Sequence, residues 1–320
     1  MSEPILQVRE LRKIYHSRKR GDTLAVDGVG FAVEPGEVVG LLGPNGAGKT
    51  TTIKCLCTLI RPTSGEITIN GADAIRRPKA AVEYVSAVLE GNRNIYWRLN
   101  VRENLEFFAG LQGIPMRRIQ GYINELIELF HLESKVKTPA RMLSRGMQQK
   151  LAVACALVKR TPLLLLDEPT LGLDVEISHE LRGILKGMAA RGERTILLSS
   201  HDMNVVQDVC GRVIVINDGR VITDDRVANL LELFRARAYT VELSGLLSPQ
   251  DAERLQEQFE LIQISPDTSR TKVEVELLRN GQLYELIELL HRSGVRIESI
   301  GRRDPNLEEI FLKIIAGKES

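Results

Sequence analysis

Apolar residues follow two rhythms along this chain. EVVGLLG (37–43), VSAVL (85–89), LLLLD (163–167) and TILLSS (195–200) are compact apolar runs without alternation, as expected of strands covered on both faces of a sheet. They predict an α/β domain. LQVRELRKIY (6–15) and TLAVDGVGFAVE (23–34) carry more polar positions and suit an antiparallel edge or side sheet. Between Asn100 and Arg160 the spacing becomes helical in VRENLEFFAGL, MRRIQGYINELIELF and RGMQQKLAVACALV, which reads as a helical insertion, about 92–160, between strands.

Beyond Ala238 the order changes to strand (YTVEL), helix (PQDAERLQEQF), two strands (LIQIS and KVEVEL), helix (QLYELIELLHRSG) and strand (VRIESIG). That is the order of a split βαβ sandwich, a small α+β domain. Two domains are therefore expected, 1–236 and 237–320, joined through RVANLLELFRARA.

A length of 320 residues with 43% hydrophobic composition is ample for sizeable cores and excludes general disorder. Lysine plus arginine total 43 and aspartate plus glutamate 42, leaving a net charge of +1. No overall electrostatic attraction to nucleic acid or an anionic membrane is expected. HSRKRG (16–21) is the one dense basic run, read as a solvated loop or a local phosphate contact. No apolar run approaches the roughly 18 to 20 residues needed to cross a bilayer, and the N-terminus lacks the apolar stretch of a signal peptide. A soluble, cytoplasmic chain is expected. Cys55, Cys57, Cys155 and Cys210 have no zinc-type spacing and read as buried, reduced thiols.

Gly43-Pro44-Asn45-Gly46-Ala47-Gly48-Lys49-Thr50 fits G-x-x-x-x-G-K-[ST], after a strand and before TTIKCLCTLI, where Ile53, Leu56, Cys57 and Ile60 form a helical stripe. Glycines let backbone wrap close to phosphate, amides at the helix start donate to it, Lys49 neutralises β/γ-phosphate charge, and the Thr50 hydroxyl can hold Mg²⁺. The run Leu163–Leu166 ends in Asp167 and Glu168, at the strand end where open α/β sheets bind ligands. Asp167 suits Mg²⁺. Glu168 suits a general base that positions and polarises water. In LSRGMQ (143–148), Ser144 reads either as the N-cap of the following helix or, with Gly146, as a second anion site.

In this order and spacing, the segments resemble the ATP-binding cassette (ABC) family over about residues 4–235. GPNGAGKT is similar to its Walker A, with Thr51 following; LSRGMQ to its signature segment; LLLLDEP to its Walker B; LGLD (171–174) to its D-loop; and His201 to its switch histidine. The resemblance implies a P-loop NTPase fold and an ATPase using ATP and Mg²⁺. It further implies a homodimer in which Ser144 and Gly146 act across the interface, Asp174 communicates between sites, and His201 contacts the γ-phosphate and water. Tyr15 stands where the family stacks an aromatic ring on adenine, although core packing of a strand tail would also account for it.

Arg145 and Met147 replace residues of the usual LSGGQ signature. VSAVLE ends in Glu90 where the family usually has a glutamine linking metal, water and membrane partner; glutamate can still coordinate Mg²⁺, or it caps a turn. GNRNIYWRLNVRENL, with Trp97, is either a docking surface for the transmembrane subunit or packed against the insertion. DPNLEEIFLKI resembles the close of an accessory domain on exporter ATPases that pair with ABC-2 type permease subunits, and Leu307, Ile310, Phe311 and Ile314 also fit a closing amphipathic helix. These resemblances imply an exporter ATPase, peripheral on the cytoplasmic face of the membrane, with no nucleic-acid partner. The rival readings are a soluble ABC-type ATPase and an ATP-gated clamp that regulates a partner without transport.

Overall fold

The computed structural model describes residues 3–16, 21–91, 94–192, 194–235, 238–259, 262–267, 269–277, 281–302 and 310–311. Residues 17–20 of the basic loop, residues 92–93 before Trp97, and all of DPNLEEIFLKI except Ile310 and Phe311 lie outside them. The chain divides into two compact units, Met1–Val227 and Ala228–Ser320.

In the first unit, β1 (Leu6–Tyr15) and β2 (Thr23–Val33) pair antiparallel, and β3 (Val38–Leu42) then enters the interior. Helix α1 (Lys49–Leu56) follows the glycine-rich loop. Next come β4 (Ser64–Ile69), β5 (Ala72–Asp73), the short α2 (Pro78–Val82) and β6 (Val85–Val88). The helical insertion contains α3 (Val101–Leu111), α4 (Met116–Leu129) and α5 (Arg145–Leu157). The chain returns through β7 (Leu163–Asp167), α6 (Val175–Ala190), β8 (Thr195–Ser200), α7 (Met203–Val209), β9 (Arg212–Asn217) and β10 (Arg220–Arg226).

Two sheets result. The side sheet has the order β2-β1-β4-β5 and is antiparallel. The main sheet has the order β10-β9-β3-β8-β7-β6, parallel except for β10 at its edge. Every residue of β3, β7 and β8 is buried, which is why their sequences are apolar without alternation. Leu163, Leu165, Leu197 and Leu41 join Ile53 and Leu56 of α1 and Leu6, Val8 and Leu11 of β1 in one core. Truncating one of these buried leucines to alanine costs about 2–5 kcal/mol. Gly40 is required by packing: a Cβ there would lie 2.7 Å from Val206 Cγ1 of α7.

Before the second unit's sheet runs α8 (Val227–Arg235). Val227 is buried and its amide donates to the Gly211 carbonyl (3.1 Å). That anchor belongs to the first unit, and the division between the compact units, at 227/228, falls within the expected joining segment RVANLLELFRARA. Beyond it are β11 (Ala238–Ser244), α9 (Pro249–Gln258), β12 (Ile262–Pro266), β13 (Arg270–Glu276), α10 (Gln282–Arg292) and β14 (Arg296–Arg302). The strand order is β12-β13-β11-β14, antiparallel throughout. Val241, Leu243, Val273 and Val275 face Leu255, Phe259, Leu286 and Leu290 across its core. This is the split βαβ arrangement that the element order predicts.

Candidate functional site

Strand register brings the candidate residues together. In the parallel sheet Leu42 lies beside Ser200, and Asp167 beside Ser199. The loop after β3, the acids closing β7 and His201 after β8 therefore share the carboxyl edge of three adjacent strands, where an open α/β sheet presents its ligand site.

Three glycines shape the loop in different ways. A Cβ at Gly43 would lie 2.2 Å from the Ile216 carbonyl oxygen, and one at Gly48 2.4 Å from that of Ala25. Gly48 (φ +102°) and Gly46 (φ +86°) also adopt left-handed backbone, which glycine reaches without steric cost. The start of α1 is thereby turned toward open space, with its first amides available to an anion.

A cavity of about 430 Å³ lies over that helix start, lined by Ala25, Asn45, Gly46, Ala47, Gly48, Lys49, Thr50, Thr51, Glu90, Glu168, Leu171 and His201. Tyr15, 38% exposed as a residue, stands beside it with its hydroxyl 3.5 Å from Thr51 Oγ1. The Lys13 ammonium lies 5.2 Å from the ring centroid. Tyr15 is thus exposed rather than packed away in the core.

Lys49 is 5% exposed and donates to the carbonyls of Gly43 (2.7 Å) and Pro44 (3.1 Å), with Glu168 Oε1 at 3.6 Å. Thr50 donates its hydroxyl to Asp167 Oδ1 (3.1 Å), and Ser199 donates to the same oxygen (2.6 Å). The other carboxylate oxygen, Asp167 Oδ2, is buried without a hydrogen-bond partner. A buried carboxylate oxygen left unsatisfied is costly, whereas a hard divalent cation takes carboxylate and hydroxyl oxygens as ligands. Asp167 and Thr50 therefore fit Mg²⁺.

Glu168 has φ +50°, left-handed backbone that is uncommon for a residue with a side chain. Its amide donates to Ser199 Oγ (3.1 Å) and to the Ser199 carbonyl (3.2 Å), fixing the turn. Oε2 accepts from His201 Nδ1 (3.0 Å) when that nitrogen carries the proton. His201 thus contacts the neighbouring acid, which orients the Glu168 carboxylate. Ser199 has no place among the sequence-derived site residues. Only its position opposite Asp167 in the sheet marks it, since a serine in an apolar run has no local signature.

Ser144, Gly146 and Asp174 stand apart from this cavity. Ser144 caps α5, accepting from the Met147 amide (3.3 Å). Gly146 is packed against α6: a Cβ there would lie 2.5 Å from Ile177 Cγ2. Asp174 caps α6, accepting from the Ile177 amide (2.9 Å). None of the three lines the cavity over the phosphate loop. Glu90 lines both that cavity and an adjoining one of about 310 Å³ that also touches Trp97, Arg145, Gln148 and Glu168. Trp97 is 41% exposed.

The model of the ABC transporter family matches residues 26–171. The chain is 37% identical over 212 residues to "ABC transporter ATP-binding protein NatA" of Bacillus subtilis (strain 168), covering 66% of this chain and 86% of that protein. It is 35% identical over 306 residues to "Nod factor export ATP-binding protein I" of Burkholderia pseudomallei (strain K96243), covering 94% and 95%. A solved "ATP binding subunit of ABC transporter" superposes with a TM-score of 0.63 at 30% identity, over 72% of this chain and 93% of that one. A dimeric ATP-binding cassette bound to ADP and Pi shares the fold, with a TM-score of 0.63 at 24% identity over 69% and 98%.

Proposed function

Because this chain belongs to the family of ABC transporter ATP-binding subunits, and is thus an ATPase, we propose that it powers export through separate ABC-2 type permease subunits. The near full-length likeness to an export ATP-binding protein supports the direction. No described helix is long and apolar enough to cross a membrane, so the path for the cargo is assigned to another chain. We place this subunit on the cytoplasmic face of that partner.

The observation that carries the reading is the meeting of Lys49, Thr50, Asp167, Glu168 and His201 at one sheet edge. In the proposed cycle Gly43–Thr51 wrap the triphosphate, Lys49 offsets its charge, and Tyr15 stacks on adenine. Mg²⁺, held by Thr50 and Asp167 with Glu90 alongside, would neutralise developing charge on the phosphates. Glu168 accepts the proton of the attacking water, and His201 orients that carboxylate. Ser144 and Gly146 lie outside their own chain's cavity, which supports their use by a second copy: two chains form a homodimer, each closing the other's site, with Asp174 at the junction.

The test is Glu168→Gln in the full chain. With magnesium ATP the variant is expected to keep nucleotide, accumulate as dimer, and turn over at least about 100-fold more slowly. Turnover at the parental rate would overturn the base assignment. Chain isolated from native membranes is expected to bring an integral membrane protein with it; recovery without one would overturn the transport role.

A further inference from the structure

Arg145 occupies a signature position usually held by glycine in the family the chain resembles. It is the first residue of α5, and its side chain reaches across to the loop between β7 and α6. Nη2 donates to the Leu171 carbonyl (3.4 Å). A Cβ placed on Gly172 would lie 2.6–2.7 Å from Nη2, Cζ and Nη1. Nearly equal approach to three guanidinium atoms means that the face of the group covers the space a side chain at Gly172 would take. Gly172 is itself in left-handed backbone (φ +69°), which favours glycine for the turn, and a side chain there would displace the guanidinium.

That loop is short and carries a candidate functional residue at each end. Glu168 opens it in its left-handed turn, with the Leu171 amide donating to the Glu168 carbonyl (3.2 Å). The Leu173 amide donates to the Thr170 carbonyl (3.2 Å), and Asp174 closes the loop as the cap of α6. One residue along from Arg145, Gly146 packs on Ile177. A turn further, the buried Lys150 donates to both carboxylate oxygens of Glu180 (2.9 Å each). The start of α5 is therefore fastened to α6 by packing and an ion pair, and the guanidinium spans the loop from that fixed base.

We propose that Arg145 is a positioning residue: it braces Leu171 and Gly172 from the helix start of its own chain and so holds the loop that sets Glu168 and Asp174. The inference rests on the ATPase reading above for its kinetic consequence, but not for its structural one. A glycine at position 145 cannot make this brace, so the departure from the usual signature moves a loop restraint onto α5. An arginine suits the task better than a lysine because a planar group both covers a peptide face and directs its N–H donors in that plane.

The test compares Arg145→Ala and Arg145→Lys with the parent in the full chain, by amide hydrogen exchange without nucleotide and by steady-state ATPase kinetics. In Arg145→Ala the amides of Leu171 and Leu173 are expected to exchange about ten-fold faster, and kcat to fall about ten-fold with KM for ATP within about two-fold. Arg145→Lys, which keeps the charge but not the flat face, is expected to remain impaired in both measures. Unchanged loop exchange in Arg145→Ala overturns the brace. A fall in kcat without faster exchange would do so too, because it would move the role of Arg145 to a direct phosphate contact. Full recovery by lysine would also overturn it. A parent chain without ATPase activity would instead refute the functional reading, while the exchange measurement still decides the brace.

Discussion

The second acid of the β7 turn shows how one residue can be placed by another that is distant in sequence. Glu168 sits in left-handed backbone because Ser199, on the neighbouring strand, accepts its amide through both hydroxyl and carbonyl oxygens. The same hydroxyl donates to Asp167, so one serine sets both acids. Glu90 adds a further carboxyl group to the cavity lining. A like charge beside triphosphate and Glu168 raises the electrostatic cost of binding nucleotide that lacks its cation. Glu90→Gln is therefore expected to weaken the Mg²⁺ requirement for binding, lowering the Kd for metal-free ATP by about five-fold, the effect of about 1 kcal/mol of relieved repulsion. Nucleotide titrations with and without Mg²⁺ check this; identical curves for variant and parent would remove Glu90 from the site.

At the scale of elements, helix starts do most of the positioning. Helix α3 opens with a reciprocal capping box between Asn100 and Glu103, visible in the sequence as N-x-x-E before an apolar run. A turn later Asn104 is fully buried. It accepts from the Tyr96 amide (2.7 Å) and donates to the carbonyls of Tyr96 (3.1 Å), Leu99 (3.1 Å) and Asn100 (2.9 Å). This asparagine replaces the missing secondary structure of the segment that carries Trp97. Asn104→Ala strands the Tyr96 amide, while the three carbonyls keep their backbone donors, and is expected to cost about 1–3 kcal/mol; a lower denaturation midpoint with an unchanged slope would register it. Helices α5 and α6 start side by side, capped by Ser144 and Asp174, with Gly146 needed for their contact. The capping by Ser144 is compatible with a ligand role, because only one lone pair of the hydroxyl is engaged.

For the molecule as a whole, burial governs the thiols as it governs the strands. All four cysteines are free and buried. Burial raises the thiol pKa of Cys55 to about 11, and that of Cys57 to about 12 with Asp167 adding to the effect; burial also raises those of Cys155 and Cys210. Below the ordinary value of 9.0, folded and unfolded chains both hold these protons and stability does not depend on them. Between 9.0 and about 12 the unfolded chain releases the Cys57 proton while the folded chain retains it. Unfolding is then favoured as pH rises, by up to about 1.4 kcal/mol per pH unit for this thiol. Native protein at pH 8 is expected to resist iodoacetamide at all four positions, with full labelling after denaturation, and Cys57→Ala is expected to flatten the alkaline loss of stability. Labelling of Cys57 in the native chain would contradict this.

Local patterns in the sequence encode the covered strands, the helices of the insertion, the phosphate loop and the element order of the second unit. Periodicity reports which faces are buried, and a loop that must bend around an anion needs its glycines at set spacings within one short segment, here positions 43, 46 and 48. Tertiary structure alone decided that Ser199 sets Asp167 and Glu168, that Gly146 lets two helices touch, that Arg145 spans Gly172, and that the division between units falls at the start of α8. Each of these depends on which strands and helices become neighbours and in what register, a relation between segments that no window of neighbouring residues contains.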